Sequence, residues 1–334
     1  MFSNSVNYVT IIAVQVHTVS CAKQKNITKD SNMANNPEGL RIDFHGDDYG
    51  ASINNSKRML ELIKAGKLDS ISIFPNMAAY SDCMELLLQS WDSFEKKPAL
   101  SIHLNLIDGY SLSGCDEPLL CNEDGYMCAS WGKFFIRSFI PGKKREVLRE
   151  AICSEFKAQI SRVFEDYPKD AALRLDSHVH THMIPMVFDA MLDALEELDL
   201  LGFVEYVRVP DEPLSPFIFN KAVSGSIPFI NIIKNRILHV LSKRAVKKLD
   251  GSGISYFPVW GLCMTGHMDK KRMQKAAPKM LDAACKYGDA LEIICHPGIV
   301  KKAEDSPEFG PDDRLAFFSK DRDVEYDAVM NRPI

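Results

Sequence analysis

The stretch Asp176-Ser177-His178-Val179-His180-Thr181-His182 carries three of the chain's nine histidines. The apolar run 171–175 before it predicts a short buried strand, and the periodic segment 185–198 after it, opened by a proline, predicts a helix. If the chain is still extended at the histidines, alternate side chains share one face, because strand side chains alternate. Those side chains are Asp176, His178, His180 and His182. This convergence favours a divalent-metal site over a hydrogen-bonded histidine cluster or a His-rich surface loop.

Strand and helix patterns alternate on both sides of this stretch. Predicted strands cover 39–45, 71–74, 99–104, 206–209, 254–259 and 291–295, and predicted helices cover 53–65, 80–90, 143–166 and 269–287. This alternation predicts an α/β fold with a parallel sheet. Polar groups follow four of the strands, at Asp47-Asp48, His103 to Asn105, 176–182 and His296. In a parallel barrel the site is built at these carboxyl ends, so we expect the polar groups to meet there.

The adjacent carboxylates Asp47 and Asp48 lie in the segment Gly46-Asp47-Asp48-Tyr49-Gly50, which we interpret as a tight turn. Neighbouring side chains in such a segment point differently. One carboxylate can therefore ligate a metal ion while the other stays free as a base. The alternative is an ordinary helix N-cap, a common use of aspartate.

Two further histidines also follow strands. His103 alone is as typical of a hydrogen-bonded core residue as of a metal ligand. With Asp48 and His178 it completes a set of two imidazoles and one carboxylate, which leaves coordination positions open and therefore suits catalysis. His296, before Pro297-Gly298, is either a general acid or a turn residue with a backbone partner.

Composition excludes some classes of function. The 334 residues are 46% hydrophobic and 25% charged, which is typical of a globular protein with ample core. The net charge of −5 gives no basic patch, so no nucleic-acid partner is predicted. The nine cysteines form no CxxC pair, which argues against a disulfide framework and indicates a reducing, cytoplasmic compartment.

The domain organisation is predicted as one barrel over residues 39–300. Residues 1–38 are polar or weakly apolar and are expected to be poorly ordered; the run 9–16 is too short to cross a membrane, which needs about 20 apolar residues. The irregular segment 107–141 is a candidate substrate lid, and 213–250 is expected to form helices at the barrel edge. Residues 301–334 are expected to be a polar C-terminal tail.

These motifs together resemble the YdjC-like carbohydrate deacetylases, the group that includes chitooligosaccharide deacetylase. The matching pieces are Asp47-Asp48-Tyr49-Gly50, Ile102-His103-Leu104-Asn105-Leu106, 175–182 and Cys295-His296-Pro297-Gly298. The resemblance implies a distorted (β/α) TIM-like barrel with parallel strands, as in polysaccharide deacetylases, and one divalent metal ion. The strand before the aspartates, Arg-Ile-Asp-Phe-His-Gly, departs from the apolar strand ending in Asn-Ala that the family often has.

Carried over residue by residue, the resemblance makes Asp48, His103 and His178 the metal ligands. It makes Asp47 the general base and His296 the acid for the leaving amine. Five more residues are expected to support the site or contact substrate: Asn105, Asp176, His180, His182 and Arg208.

The resemblance further implies removal of an N-acetyl group from an amino sugar or oligosaccharide, with release of acetate. Two imidazoles and one carboxylate favour Zn²⁺ by ligand softness, whereas the family is often described with Mg²⁺, so both ions are kept. The expected partner is a small N-acetylated sugar, and a homodimer is left open. The alternatives are a metal-dependent phosphoesterase, which usually holds two or three metals, and a non-catalytic carbohydrate-binding relative.

Overall fold

The computed structural model describes residues 39–218, 220–221, 223–298, 320–332 and 334. The predictions for segment 1–38, for the last two residues of the predicted barrel (299–300) and for residues 301–319 of the predicted tail lie outside the described residues.

Parallel strands form one curled sheet in the described part of the chain. They are β1 Arg41–Tyr49, β2 Ser70–Ile73, β3 Ala99–Leu104, β4 Leu173–Ser177, β5 Val204–Val207, β6 Val259–Trp260 and β7 Ala290–Cys295. Their order across the sheet is β5-β4-β3-β2-β1-β7-β6, and every pairing is parallel. One parallel bridge joins Tyr206 of β5 to Ser255, shortly before β6. The predicted α/β fold, a distorted barrel of parallel strands, is confirmed.

Helices follow the strands along the chain. They are α1 Ile53–Lys64, α2 Tyr80–Trp91, α3 Trp131–Phe139, α4 Lys143–Asp166, α5 Pro185–Glu197, α6 Ser215–Ile218, α7 Phe229–Leu249, α8 Lys270–Ala284 and α9 Asp321–Met330. Within the segment predicted as a tail, α9 is thus a helix. Local chemistry sets the boundaries of α1: Ser52 Oγ accepts a hydrogen bond from Asn55 N at 3.2 Å, and Gly66 follows the helix with φ +64°.

The inner face of the curled sheet is polar. On β1 the buried residues Asp43, His45 and Asp47 alternate with Ile42 and Phe44, which belong to the hydrophobic core. Asp43 accepts a hydrogen bond from Arg174 on β4 at 2.8 Å, so charged groups from well-separated strands meet inside the barrel. Layers of branched aliphatic side chains usually fill this space. Here paired ions and hydroxyls fill it instead.

The segment predicted as a lid is anchored by Glu155 of α4. This buried carboxylate accepts hydrogen bonds from Ser111 Oγ at 2.7 Å, Leu112 N at 3.1 Å and Ser113 N at 3.0 Å. The segment ends in α3, and its role as a lid stays a prediction. Among the described residues, no helix combines the length and apolar character that crossing a bilayer requires.

Gly261, directly after β6, tests how tightly the sheet is packed. Its φ is +142°, and an added Cβ would lie 2.5 Å from Ile294 O of β7. Gly261→Ala should therefore lower the free energy of unfolding by roughly 2–3 kcal/mol, measured by urea denaturation. Gly132→Ala in α3 is the control, because an added Cβ meets nothing within 4 Å. Equal denaturation midpoints for the two variants would contradict this packing.

Candidate active site

The aspartate pair lies inside β1, so the predicted tight turn at residues 46–50 is wrong. The pairing of β1 with β2 shifts between Gly46 and Tyr49, and Asp48 has a φ of +71°. This irregularity turns two consecutive carboxylates to different neighbours: Asp47 joins the charged interior, and Asp48 faces the histidines. The alternative role as a helix cap is also excluded, since Ser52 caps α1.

His103 reaches the site from the end of β3. Its register partner on β4 is Asp176, and Asp176 Oδ1 lies 2.5 Å from His103 Nδ1. His103 Nε2 lies 3.5 Å from Asp48 Oδ1. Burial opposes the charged imidazolium, but the carboxylates of Asp176, Asp48 and Asp47 together outweigh it and raise the pKa of His103 to about 9. Asp176 therefore fixes the ring with Nε2 toward Asp48.

The histidine run does not continue the strand, so the predicted single face for residues 176–182 is wrong. Residues His178–Met183 form a 3₁₀ turn in which Val179 and His180 have φ values of 47° and 54°. His178 Nδ1 lies 3.5 Å from Asp48 Oδ1, and its Nε2 lies 3.4 Å from Asp108 Oδ2. Burial disfavours the imidazolium, but Asp108 and Asp48 raise the pKa of His178 to about 10.

The other two histidines of the run have different surroundings. His182 is fully buried; Ser177 Oγ lies 2.5 Å from its Nδ1, and Arg208 O lies 2.7 Å from its Nε2. Burial lowers the pKa of His182 to about 4, so its ring is neutral and stabilises the turn through these two contacts. Burial, reinforced by Arg208, holds the pKa of His180 well below its usual value.

Asp48, His103 and His178 offer one ligand atom each, and these atoms lie within 4.8 Å of one another. Asp48 Oδ1 is buried and has no hydrogen-bond partner among the described residues. A tetrahedral ion with ligand bonds of about 2.1 Å separates its ligands by roughly 3.4 Å, close to the 3.5 Å from Asp48 Oδ1 to each imidazole. The residues therefore fit a divalent cation, with Asp176 behind His103 in the usual supporting position.

Asp47 is held by Arg208, one of the five residues predicted to support the site or contact substrate. Arg208 Nη1 and Nη2 donate to the two oxygens of Asp47 at 2.9 Å each, and Nε and Nη2 donate to Glu292 at 3.0 Å each. Burial opposes the charge on Asp47, but Arg208, His45 and His103 together outweigh it and hold the pKa of Asp47 well below its usual value. Asp47 is thus ionised and firmly oriented rather than free.

His45, Asp47 and Asp176 form a second buried group with metal-ligand atoms. Arg208 Nη2 already lies 2.9 Å from Asp47 Oδ1 and 3.3 Å from Asp176 Oδ2. Ser72 Oγ is 2.7 Å from Asp176 and 3.0 Å from Asp47. A guanidinium thus takes the place that a second cation would occupy, and this group is an internal ion network.

His296 directly follows β7 and also lies near Asp47. Its Nε2 is 3.9 Å from Asp47 Oδ2, and its backbone N donates to Glu325 Oε2 at 2.5 Å. The imidazole therefore faces Asp47, whereas the turn's hydrogen bond runs from the His296 backbone to the Glu325 side chain; the role of general acid stays a prediction. Asn105, the remaining predicted residue, is fully buried; its Nδ2 donates to Asp108 O at 2.8 Å and so shapes the loop behind His178.

Sequence reasoning missed the contribution of α9. Arg322 Nη2 donates to Asp48 Oδ2 at 2.6 Å, which leaves Oδ1 facing the imidazoles. It also missed Glu292, although a carboxylate inside the apolar run of β7 is a visible signal for a buried ion pair. Nothing in the sequence near Asp108 or Arg322 points to the site, because each comes from a segment without a recognisable pattern.

Comparison with known proteins gives a family match over nearly all described residues. A family model described as YdjC-like protein matches residues 41–334. Two curated relatives, each named carbohydrate deacetylase, align over 175 residues: one from Danio rerio at 24% identity and one from Mus musculus at 23%. Each alignment covers 52% of this chain and 51% of the relative, so the chain aligns with about half the length of these proteins.

A solved structure from Enterococcus faecalis V583, described as a candidate cellobiose-phosphate cleavage protein, shares the fold. The TM-score is 0.51 at 15% sequence identity, over 89% of this chain and 96% of that one. At this identity the likeness concerns the fold alone.

Arg208→Met should be strongly destabilising, because the carboxylates of Asp47, Asp176 and Glu292 stay buried without the positive charge that pairs with them. We expect a loss of about 3–5 kcal/mol in the free energy of unfolding, measured by urea denaturation. Arg244→Met is the matched control: Arg244 pairs with the partly exposed Asp189, and such pairs contribute about 1 kcal/mol or less. If both variants lose the same small amount, the interior network is not what stabilises the barrel.

Proposed function

The chain belongs to the YdjC-like protein family, and we propose on that premise that it is a metal-dependent carbohydrate deacetylase. The proposed reaction is hydrolysis of the N-acetyl group of an amino sugar or oligosaccharide, with release of acetate. One observation carries the proposal: the cation-compatible set Asp48, His103 and His178 lies beside an ionised carboxylate, Asp47, and a further imidazole, His296.

The proposed cation ligands are Asp48 Oδ1, His103 Nε2 and one nitrogen of His178. A divalent cation held there would supply Lewis acidity, which lowers the pKa of the attacking water and stabilises charge on the carbonyl oxygen. Two nitrogens and one oxygen suit Zn²⁺, and the open positions also accommodate the waters that Mg²⁺ retains.

The protein's own groups supply the proton transfers in the proposed reaction. Asp47 accepts the proton of the attacking water at a carboxylate oxygen; the low pKa that Arg208 imposes keeps this oxygen ionised before each turnover. His296, whose Nε2 lies 3.9 Å from Asp47, donates a proton to the departing amine nitrogen. Acid and base thus flank a common space, which amide hydrolysis requires.

The proposed substrate class follows the names of the two relatives, both carbohydrate deacetylases. Acetate as the leaving acyl group, and an amino sugar as the product, are parts of the proposal. A small sugar as the binding partner is also part of the proposal.

A metal-dependent phosphoesterase is the competing proposal. That chemistry usually uses two or three metal ions close together. The only other group of possible metal ligands among the described residues is His45, Asp47 and Asp176, and the Arg208 guanidinium already contacts both of its carboxylates. One cation per chain is therefore expected. A purely carbohydrate-binding relative would not need a carboxylate and an imidazole facing each other beside the cation site.

Metal binding is testable without an activity assay. Zn²⁺ or Mg²⁺ at about 100 times its dissociation constant should stabilise the fold by about 2.7 kcal/mol and raise the thermal midpoint, and a chelator should reverse the shift. His103→Gln should abolish the shift. His239→Gln should keep it, because His239 pairs with Asp211 away from the proposed ligands. A shift of full size in His103→Gln would contradict the ligand assignment.

The base role of Asp47 is tested by Asp47→Asn. The variant should keep one metal per chain and lose acetate release by about 10²–10⁴-fold, because the amide cannot accept the proton. The assay follows acetate and phosphate over a panel of N-acetylated sugars and phosphoesters. Asp282→Asn, an exposed residue paired with Lys286, should be fully active. Full activity in Asp47→Asn would remove Asp47 from this role, and phosphate release by the unaltered chain would favour the phosphoesterase.

A further inference from the structure

The helix α9 lies outside the parallel sheet and packs on α1. Tyr326 OH donates to Glu61 Oε2 at 3.1 Å, and the guanidinium of Arg58 lies 3.7 Å above the Tyr326 ring. Both contacts attach α9 to α1. One turn of the helix carries Arg322 and Glu325, whose side chains reach Asp48 and His296. A segment remote in sequence from the histidine motifs therefore contacts two of the proposed functional residues.

Glu325 contacts His296 through its carboxylate. The carboxylate is only 2% exposed; its Oε2 accepts the hydrogen bond from His296 N at 2.5 Å and lies 3.6 Å from His296 Nδ1. Its Oε1 is buried and has no hydrogen-bond partner within the described ranges. A buried carboxylate oxygen without a partner in the described part of the chain is costly, which is typical of a group kept for function.

The turn that carries His296 is fixed on both sides. Gly298 N donates to Arg322 O at 3.2 Å on the α9 side. On the α1 side, an added Cβ at Gly298 would lie 2.7 Å from the side chain of Asn55. The backbone of the turn is thus held in place. The imidazole can still rotate about its own side-chain bonds, and Glu325 can fix that rotation.

We propose that Glu325 is the positioning residue for His296: it holds Nδ1 on the α9 side so that Nε2 points at Asp47. A carboxylate behind one imidazole nitrogen sets the ring orientation and tautomer in many histidine-containing sites. The two ring nitrogens have different carboxylates as neighbours at ion-pair distance, with Nδ1 3.6 Å from Glu325 Oε2 and Nε2 3.9 Å from Asp47 Oδ2. The expected effect on turnover rests on the proposed function, whereas the expected orientation of the His296 imidazole does not.

The experiment compares Glu325→Gln and Glu325→Ala in the full chain. We expect kcat for acetate release to fall about 10–100-fold with KM unchanged, and the metal content to stay at the level of the unaltered chain. The Gln variant should lose less than the Ala variant, because its amide oxygen still accepts a hydrogen bond. In a His296→Gln background, Glu325→Gln should have no further effect, because both substitutions remove the same action.

Tyr326→Phe is the matched control, since it removes an α9 contact with α1 and leaves Glu325 and His296 in place. It should keep wild-type kcat. If Tyr326→Phe lowers kcat as much as Glu325→Gln, or if the Glu325 and His296 effects are additive, Glu325 acts only through the packing of α9 and the proposal is overturned. If Glu325→Ala does not fold, the test rests on Glu325→Gln and on the double variant with His296→Gln.

Nitrogen NMR of the His296 imidazole separates this inference from the proposed function. The neutral ring should carry its proton on Nδ1 in the unaltered chain and lose this preference in Glu325→Gln, whether or not acetate is released. An unaltered chain that releases no acetate but shows this tautomer would contradict the proposed function alone. An active chain whose His296 tautomer is the same in both proteins would contradict the positioning role alone.

Discussion

The contact between Arg208 and the carboxylates around it is the constraint on which the rest of the structure depends. A fully buried guanidinium costs several kcal/mol in lost hydration, and that cost is offset only when anions surround it in good geometry. Asp47 accepts two hydrogen bonds from Arg208 at 2.9 Å, and Glu292 accepts two more at 3.0 Å. Strands β1, β5 and β7 must therefore keep a fixed spacing, or one of these charges is left unpaired.

The same network orients the groups at the mouth of the barrel. Asp176 lies 3.3 Å from Arg208 Nη2 and 2.5 Å from His103 Nδ1, so it links the interior ions to an imidazole of the cation site. Arg208 holds Asp47 by two hydrogen bonds, and His296 Nε2 lies 3.9 Å from the same carboxylate. Groups fixed in this way need little rearrangement during a reaction, which is the physical basis of electrostatic preorganisation. Stability and proposed chemistry thus share one set of charges.

The sequence predicts the parts of this arrangement that depend on local pattern. The strand-end positions of Asp48, His103 and His178 follow from alternating strands and helices, and the structure brings the three together. The irregularity at Asp48 could not be predicted, because it comes from the pairing of β1 with β2. The 3₁₀ turn at His178–Met183 was missed for a similar reason: tertiary packing outweighs the extended pattern of the sequence. Arg322 and Glu325 reach the site through the docking of a distant helix.

Anomalous diffraction from crystals grown with Zn²⁺ tests the central claim most directly. One peak should appear per chain, about 2.0–2.2 Å from Asp48 Oδ1, His103 Nε2 and a nitrogen of His178. A chain without a peak there, or with the peak between His45, Asp47 and Asp176 in place of the Arg208 guanidinium, would contradict the account.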